Sequence, residues 1–149
     1  MTMRYNIYRK GSLLLFLTMA SCTPFRSDVY NSVKHTYDNG NDTIDFGEVL
    51  WFDWDTMYWF PSNISVDEIN LIVNINSYWQ DVGDRLIFVK GNKIVYYKEY
   101  FPNHETPLKR ITFDPSTVQK TNKEDAIFFI RKVSDKLYVL SPTTDVMDL

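Results

Sequence analysis

Leu86-Ile87-Phe88-Val89-Lys90-Gly91-Asn92-Lys93-Ile94-Val95-Tyr96-Tyr97 reads as two strands folded back on each other. Four apolar residues, mostly β-branched or aromatic, stand on each side of Gly-Asn, the kind of two-residue loop that needs positive φ. A second unit of this kind closes the chain. Ala126-Ile127-Phe128-Phe129-Ile130 and Leu137-Tyr138-Val139-Leu140 flank a turn around Ser134-Asp135. Ile127 to Ile130 is apolar on both alternating sides. It is therefore either a central strand covered on both faces or one that presents a greasy surface to a partner. Arg110 to Phe113 adds a short strand.

Working outward, Trp51 to Phe60 is predicted to be a strand. Alternation puts Trp54, Thr56, Tyr58 and Phe60 on one face and Asp55, Met57 and Trp59 on the other, and Pro61 ends it. Ser65 then caps a helix, with Glu68 completing a capping box and Ile64 and Ile69 in the positions of a hydrophobic staple. Ile69, Ile72 and Val73 form its apolar stripe, and the helix is expected to run to about Asn76. Ile44 to Leu50 is ambiguous. The expected class is α+β: an antiparallel sheet built largely from two C-terminal hairpins, with one capped helix packed on one face. This single domain is expected to span 42–142, followed by a polar tail, 143–149.

The N-terminus has the three parts of a secretory signal. Arg4, Arg9 and Lys10 make a basic start, Leu13 to Leu17 an apolar core, and Met19-Ala20-Ser21-Cys22 places small residues before a cysteine. This resembles the lipobox of bacterial lipoproteins, which implies cleavage after residue 21 and lipid on the Cys22 thiol. The apolar run is too short to span a bilayer. Cys22 is the chain's one cysteine, so no disulfide framework competes for it. Residues 22–41, polar and turn-rich, are expected to be a flexible tether that lifts the domain off the membrane. No acidic cluster follows Cys22. Such clusters resemble inner-membrane retention or surface-export signals, so the expected location is an outer membrane facing the periplasm, where the source has two membranes.

The leader holds three of the sixteen basic residues and no acid, which leaves thirteen against nineteen acidic ones, a net charge near −6. That balance disfavours nucleic acid and anionic lipid as partners. Aromatic content of 16% is enough to build a core.

Phe52-Asp53-Trp54-Asp55-Thr56-Met57-Tyr58, with Phe60-Pro61 and the helix after it, resembles a group of small bacterial lipoproteins that share an aromatic-x-Trp-Asp strand motif. Tyr138-Val139-Leu140-Ser141-Pro142 is similar to their closing strand. The resemblance covers much of the mature chain and implies fold and export, with no reaction attached.

Asp53 and Asp55 flank Trp54 and form an acidic pair that could divide acid and base roles; against this, Asp55 can serve a neighbouring turn while Trp54 fills the core. The oxygen-rich run from Asp38 to Glu48 fails as a calcium loop: in one register Thr43 replaces the turn Gly and Val49 the bidentate Glu. His35 and His104 have no partner at ligand or nucleophile spacing. Asp42-Thr43-Ile44 resembles a glycosylation triplet of exported proteins. Trp59, Tyr96, Tyr97, Tyr100 and Phe101 form a candidate binding cluster, of which the core must claim at least one of the oppositely facing Tyr96 and Tyr97. The expectation is a membrane-anchored, non-enzymatic, protein-binding module without cofactor or metal, of immunity type or an accessory subunit. The alternatives are an exported enzyme using Asp53 and Asp55, and a lipoprotein that binds a small ligand or glycan.

Overall fold

The computed structural model describes residues 28–75, 83–101 and 108–143. The leader, Cys22 and His104 lie outside the described residues. In chain order the elements are α1 (Val29–Asp38), β1 (Thr43–Asp45), the one-turn α2 (Phe46–Val49), β2 (Thr56–Phe60), α3 (Val66–Val73), β3 (Asp84–Lys90), β4 (Lys93–Tyr100), β5 (Arg110–Phe113), β6 (Gln119–Asn122), a 3-10 turn (Lys123–Asp125), β7 (Ile127–Ser134) and β8 (Leu137–Pro142).

The fold is α+β, and both expected hairpins form. Lys90 lies opposite Lys93 across the β3–β4 turn, where Gly91 takes φ 55°. The β7–β8 hairpin turns at Asp135-Lys136. The two hairpins fall in different sheets rather than in one. The first sheet has the order β1-β7-β8-β5 and the second β4-β3-β2-β6. Neighbours are antiparallel except β5 and β8, which pair in parallel. A parallel pair needs a long crossover. Here the crossover visits the second sheet as β6 and returns as β7.

The second sheet is covered on both faces. Met57, Trp59, Leu86 and Phe88 point toward the first sheet, where Trp59 meets Phe113 at 4.7 Å between ring centroids. Tyr58, Phe60, Ile87 and Val89 point the other way and pack against Ile69 and Val73 of α3. The alternation expected along β2 therefore holds, but both faces are core. The strand begins at Thr56 rather than Trp51. Trp54 lies before it and turns into the main core, edge-on to Phe88 at 4.9 Å, rather than sharing the Tyr58 face.

α3 has the expected capping box: Glu68 N–H donates to Ser65 Oγ at 3.3 Å, and Ser65 N–H to Glu68 Oε2 at 3.0 Å. Ile64 and Ile69 both join its apolar cluster. The helix ends at Val73, short of the expected Asn76, because Asn74 adopts the left-handed conformation at φ 55° that commonly stops a helix. Beneath its N-terminus the buried Arg85 donates to the Ile64 carbonyl at 3.1 Å and lies 3.7 Å from Glu99.

The tether is the main correction. Residues 29–38 form α1, capped by Asp28, whose carboxylate accepts from Asn31 N–H at 2.9 Å. Val29, Tyr30 and Val33 are buried in the main core and Tyr37 packs against it. These positions, at i, i+1, i+4 and i+8, make one helical stripe. Of the polar residues between them Ser32 is also buried, and Asn31, Lys34, His35 and Thr36 are partly or fully exposed. Residues 28–41, expected to be tether, thus belong to the folded domain. Ile44 to Leu50 resolves into β1 and α2, with Asp45 accepting from Gly47 N–H at 2.7 Å. Any side chain at Gly47 would press on the Lys123 carbonyl at 3.0 Å. β6 carries no apolar residue, yet it pairs with β2 from Gln119 to Asn122.

If α1 is part of the core, Tyr30→Ala costs about 3 kcal/mol. Urea unfolding measures this, and a change under about 0.5 kcal/mol would return the segment to a tether.

Candidate functional site

Asp53, Trp54 and Asp55 lead into β2, and the β3–β4 turn folds over them. Asp55 is a junction. Its carboxylate accepts from Gly91 N–H and from Lys90 Nζ, each at 2.8 Å. Its own N–H donates to the Val89 carbonyl at 2.8 Å, and its carbonyl accepts from Lys123 N–H at 2.9 Å. Asp53 meets Lys90 Nζ at 3.1 Å and Lys123 Nζ at 3.4 Å. Together these side chains line an open recess of about 380 Å³.

The lysines decide the electrostatics of this recess. Hydrogen bonds from Lys90, then Lys123, hold Asp53 below the usual carboxylate range. Lys90, then the Gly91 amide, does the same for Asp55. In return the Lys90 ammonium is held charged by Asp55 and then Asp53. A general acid needs its pKa pushed toward neutrality, the opposite direction. The pair ties the β3–β4 turn to the segment before β2 and to the 3-10 turn. Among the described residues, no group of three or more His, Cys, Asp or Glu side chains is placed to hold a metal ion. Asp38 pairs with Lys34, and Asp45 caps α2. His35 Nε2 sits 3.1 Å from the Asn39 amide at the end of α1.

The aromatic candidates separate. Trp59 and Tyr100 are buried core residues and not surface anchors, and burial pushes the Tyr100 hydroxyl well above its usual range. Tyr96 is half-buried, stacks on Phe52 at 4.9 Å, and its hydroxyl accepts from the backbone of Val29, which fixes the start of α1. Phe101 is half-buried just past β4. Tyr97, which faces away from Tyr96, is 61% exposed.

The larger exposed apolar feature is elsewhere. β7 is an inner strand of the first sheet, with Phe128 and Ile130 turned into the core. Its other side shows Ile127 at 36% and Phe129 at 52% exposure, and Val133 beside the hairpin turn is 51% exposed. Thr43 and Ser141 stand opposite Phe129 on the neighbouring strands, and Arg131 reaches Asp114 at 3.9 Å. Of the two readings of the apolar run, the exposed surface is the one observed. Thr43, the residue of the glycosylation-like triplet, is exposed on this same face. No family model, curated protein or solved structure matches the chain.

A carboxylate held at depressed pKa adds stability above its unfolded pKa of about 4, and loses it as pH falls through the folded value. Asp55→Asn is therefore expected to lower the urea midpoint at pH 7, with the gap to wild type closing as pH drops below about 4. A gap that persists to pH 2 would show that the charge on Asp55 is not involved.

Proposed function

We propose that the chain is a lipid-anchored protein of a bacterial cell envelope whose domain binds another protein rather than catalysing a reaction. The anchor reading rests on the leader and on Cys22 at its cleavage point. The binding reading is carried by one observation, the outer face of the first sheet, which no described element covers. Ile127 and Phe129 are the residues of an inner strand, where a free-standing domain would ordinarily place polar side chains. A large aromatic side chain ringed by Thr43, Ser141 and Arg131 has the make-up of an interface centre with a polar rim.

The enzyme alternative loses support because its two carboxylates are spent on Lys90, Lys123 and the Gly91 amide. An immunity-type inhibitor and an accessory subunit of an envelope assembly both fit a small, net-acidic, exported domain with one such face.

The anchor is tested by mass: the native chain carries acyl groups on residue 22 and floats with membranes, and Cys22→Ala does neither. The face is tested by Phe129→Asp on the anchored protein. Because Phe129 is half-exposed, the variant is expected to fold, at a cost of about 1–2 kcal/mol in strand preference and lost burial. It is expected to lose the stoichiometric partner that the wild type retains through crosslinking and purification. Retention of that partner by a folded Phe129→Asp variant would remove this face from the interface.

A further inference from the structure

We propose that the domain rides on the bilayer itself, with the end that carries Asp28, Leu108 and Lys109 against the lipid headgroups. This rests on the anchor reading above, and adds to it the surface that the anchor brings to the membrane.

The distance follows from covalent geometry and from where the folded domain starts. Asp28 caps α1 through Asn31 N–H. The first turn of the helix is held from three sides. Val29 N–H binds the Tyr96 hydroxyl, the Tyr30 hydroxyl donates to the Asp135 carbonyl at 3.2 Å, and the Tyr30 ring meets Tyr138 edge-on at 5.7 Å. α1 therefore cannot unwind to lengthen the tether without opening the core. Five residues, Thr23 to Ser27, separate Cys22 from Asp28. Six Cα steps of about 3.5 Å reach at most about 20 Å even when fully extended. A domain of this size has a radius of gyration of about 14 Å, so its diameter exceeds that leash. It cannot turn its far end to the lipid while its near end stays attached.

The near end has the residues for such contact. Leu108 is 44% exposed, and the neighbouring Lys109 ammonium lies 6.0 Å from the ring of Tyr30, the second residue of α1. An apolar side chain beside a lysine suits the interface, where the one enters the acyl boundary and the other extends to headgroup oxygens. The far end is the β3–β4 turn. Lys90 of that turn is tied through Asp53 to Lys123, just before β7, and β7 runs from Ile127 over about 24 Å at about 3.4 Å per residue to Ser134, which pairs with Leu137, the partner of Arg110 next to Lys109. With the mature chain net acidic, the leash and not charge attraction sets this contact.

The test uses the full acylated chain, purified from membranes and reconstituted in phosphatidylcholine vesicles that contain headgroup-nitroxide lipid. A fluorophore is placed at Lys109→Cys or at Asn92→Cys. Quenching at 109 is expected to exceed that at 92 several-fold. A flexible twenty-residue insertion between Cys22 and Asp28 is expected to erase the difference. Equal quenching at the two positions in a chain that floats and carries its acyl mass would overturn this orientation and leave the anchor reading standing. A chain that carries no acyl group would overturn both.

Discussion

The ring of Phe88 holds the molecule together. It meets Phe52 at 5.1 Å, Trp54 at 4.9 Å, Tyr96 at 5.8 Å and Phe46 at 6.1 Å. Aromatic pairs of this kind contribute about 0.5–1.5 kcal/mol each beyond the area they bury. Their larger effect here is connection. Phe46 passes the contact to Phe128 of the first sheet, Trp54 sets the segment that carries Asp53 and Asp55, and Tyr96 receives the first amide of α1. On the back of the same strand, Ile87 and Val89 form the bed for α3. β3 thus organises both layers, and every candidate surface is placed by what surrounds it.

Local chemistry was readable where the signal is local. The Gly-Asn turn, the Ser65–Glu68 box and the two-sided apolar strands each occupy fewer than ten residues, and each forms as expected. What escaped depends on distant partners. β6 is a strand only because β2 offers it a ladder; Gln-Lys-Thr-Asn has no apolar period of its own. α1 escaped because its buried stripe is thin, and Asn, Ser, Lys, His, Thr and Asp fill the remaining positions. The split into two sheets follows from the parallel pairing of β5 with β8, a choice that no turn signal announces.

The same division runs through the candidate sites. Asp53 and Asp55 could be picked out as a pair, but their electrostatic state is set by lysines 35 and 70 positions away. Period two showed that Tyr96 and Tyr97 face opposite ways. It could not show that Trp59 and Tyr100 lie too deep to meet a partner, because depth depends on what the first sheet lays over them. The run from Ile127 to Ile130 is compatible with either outcome by itself; what decides is that α3 packs on the other sheet. One helix covers the back of the second sheet, and no described element covers the Phe129 side of the first. A helix that joins the core at the start of the described chain and an apolar face left open on the first sheet are consequences of one packing arrangement.

The most direct measurement is site-specific photocrosslinking in living host cells, with the reactive residue at 129 or at 97 of the otherwise native chain. The account predicts that position 129 captures one envelope protein in stoichiometric yield and that position 97, exposed on the other sheet, does not. Capture from 97 with none from 129 would contradict it.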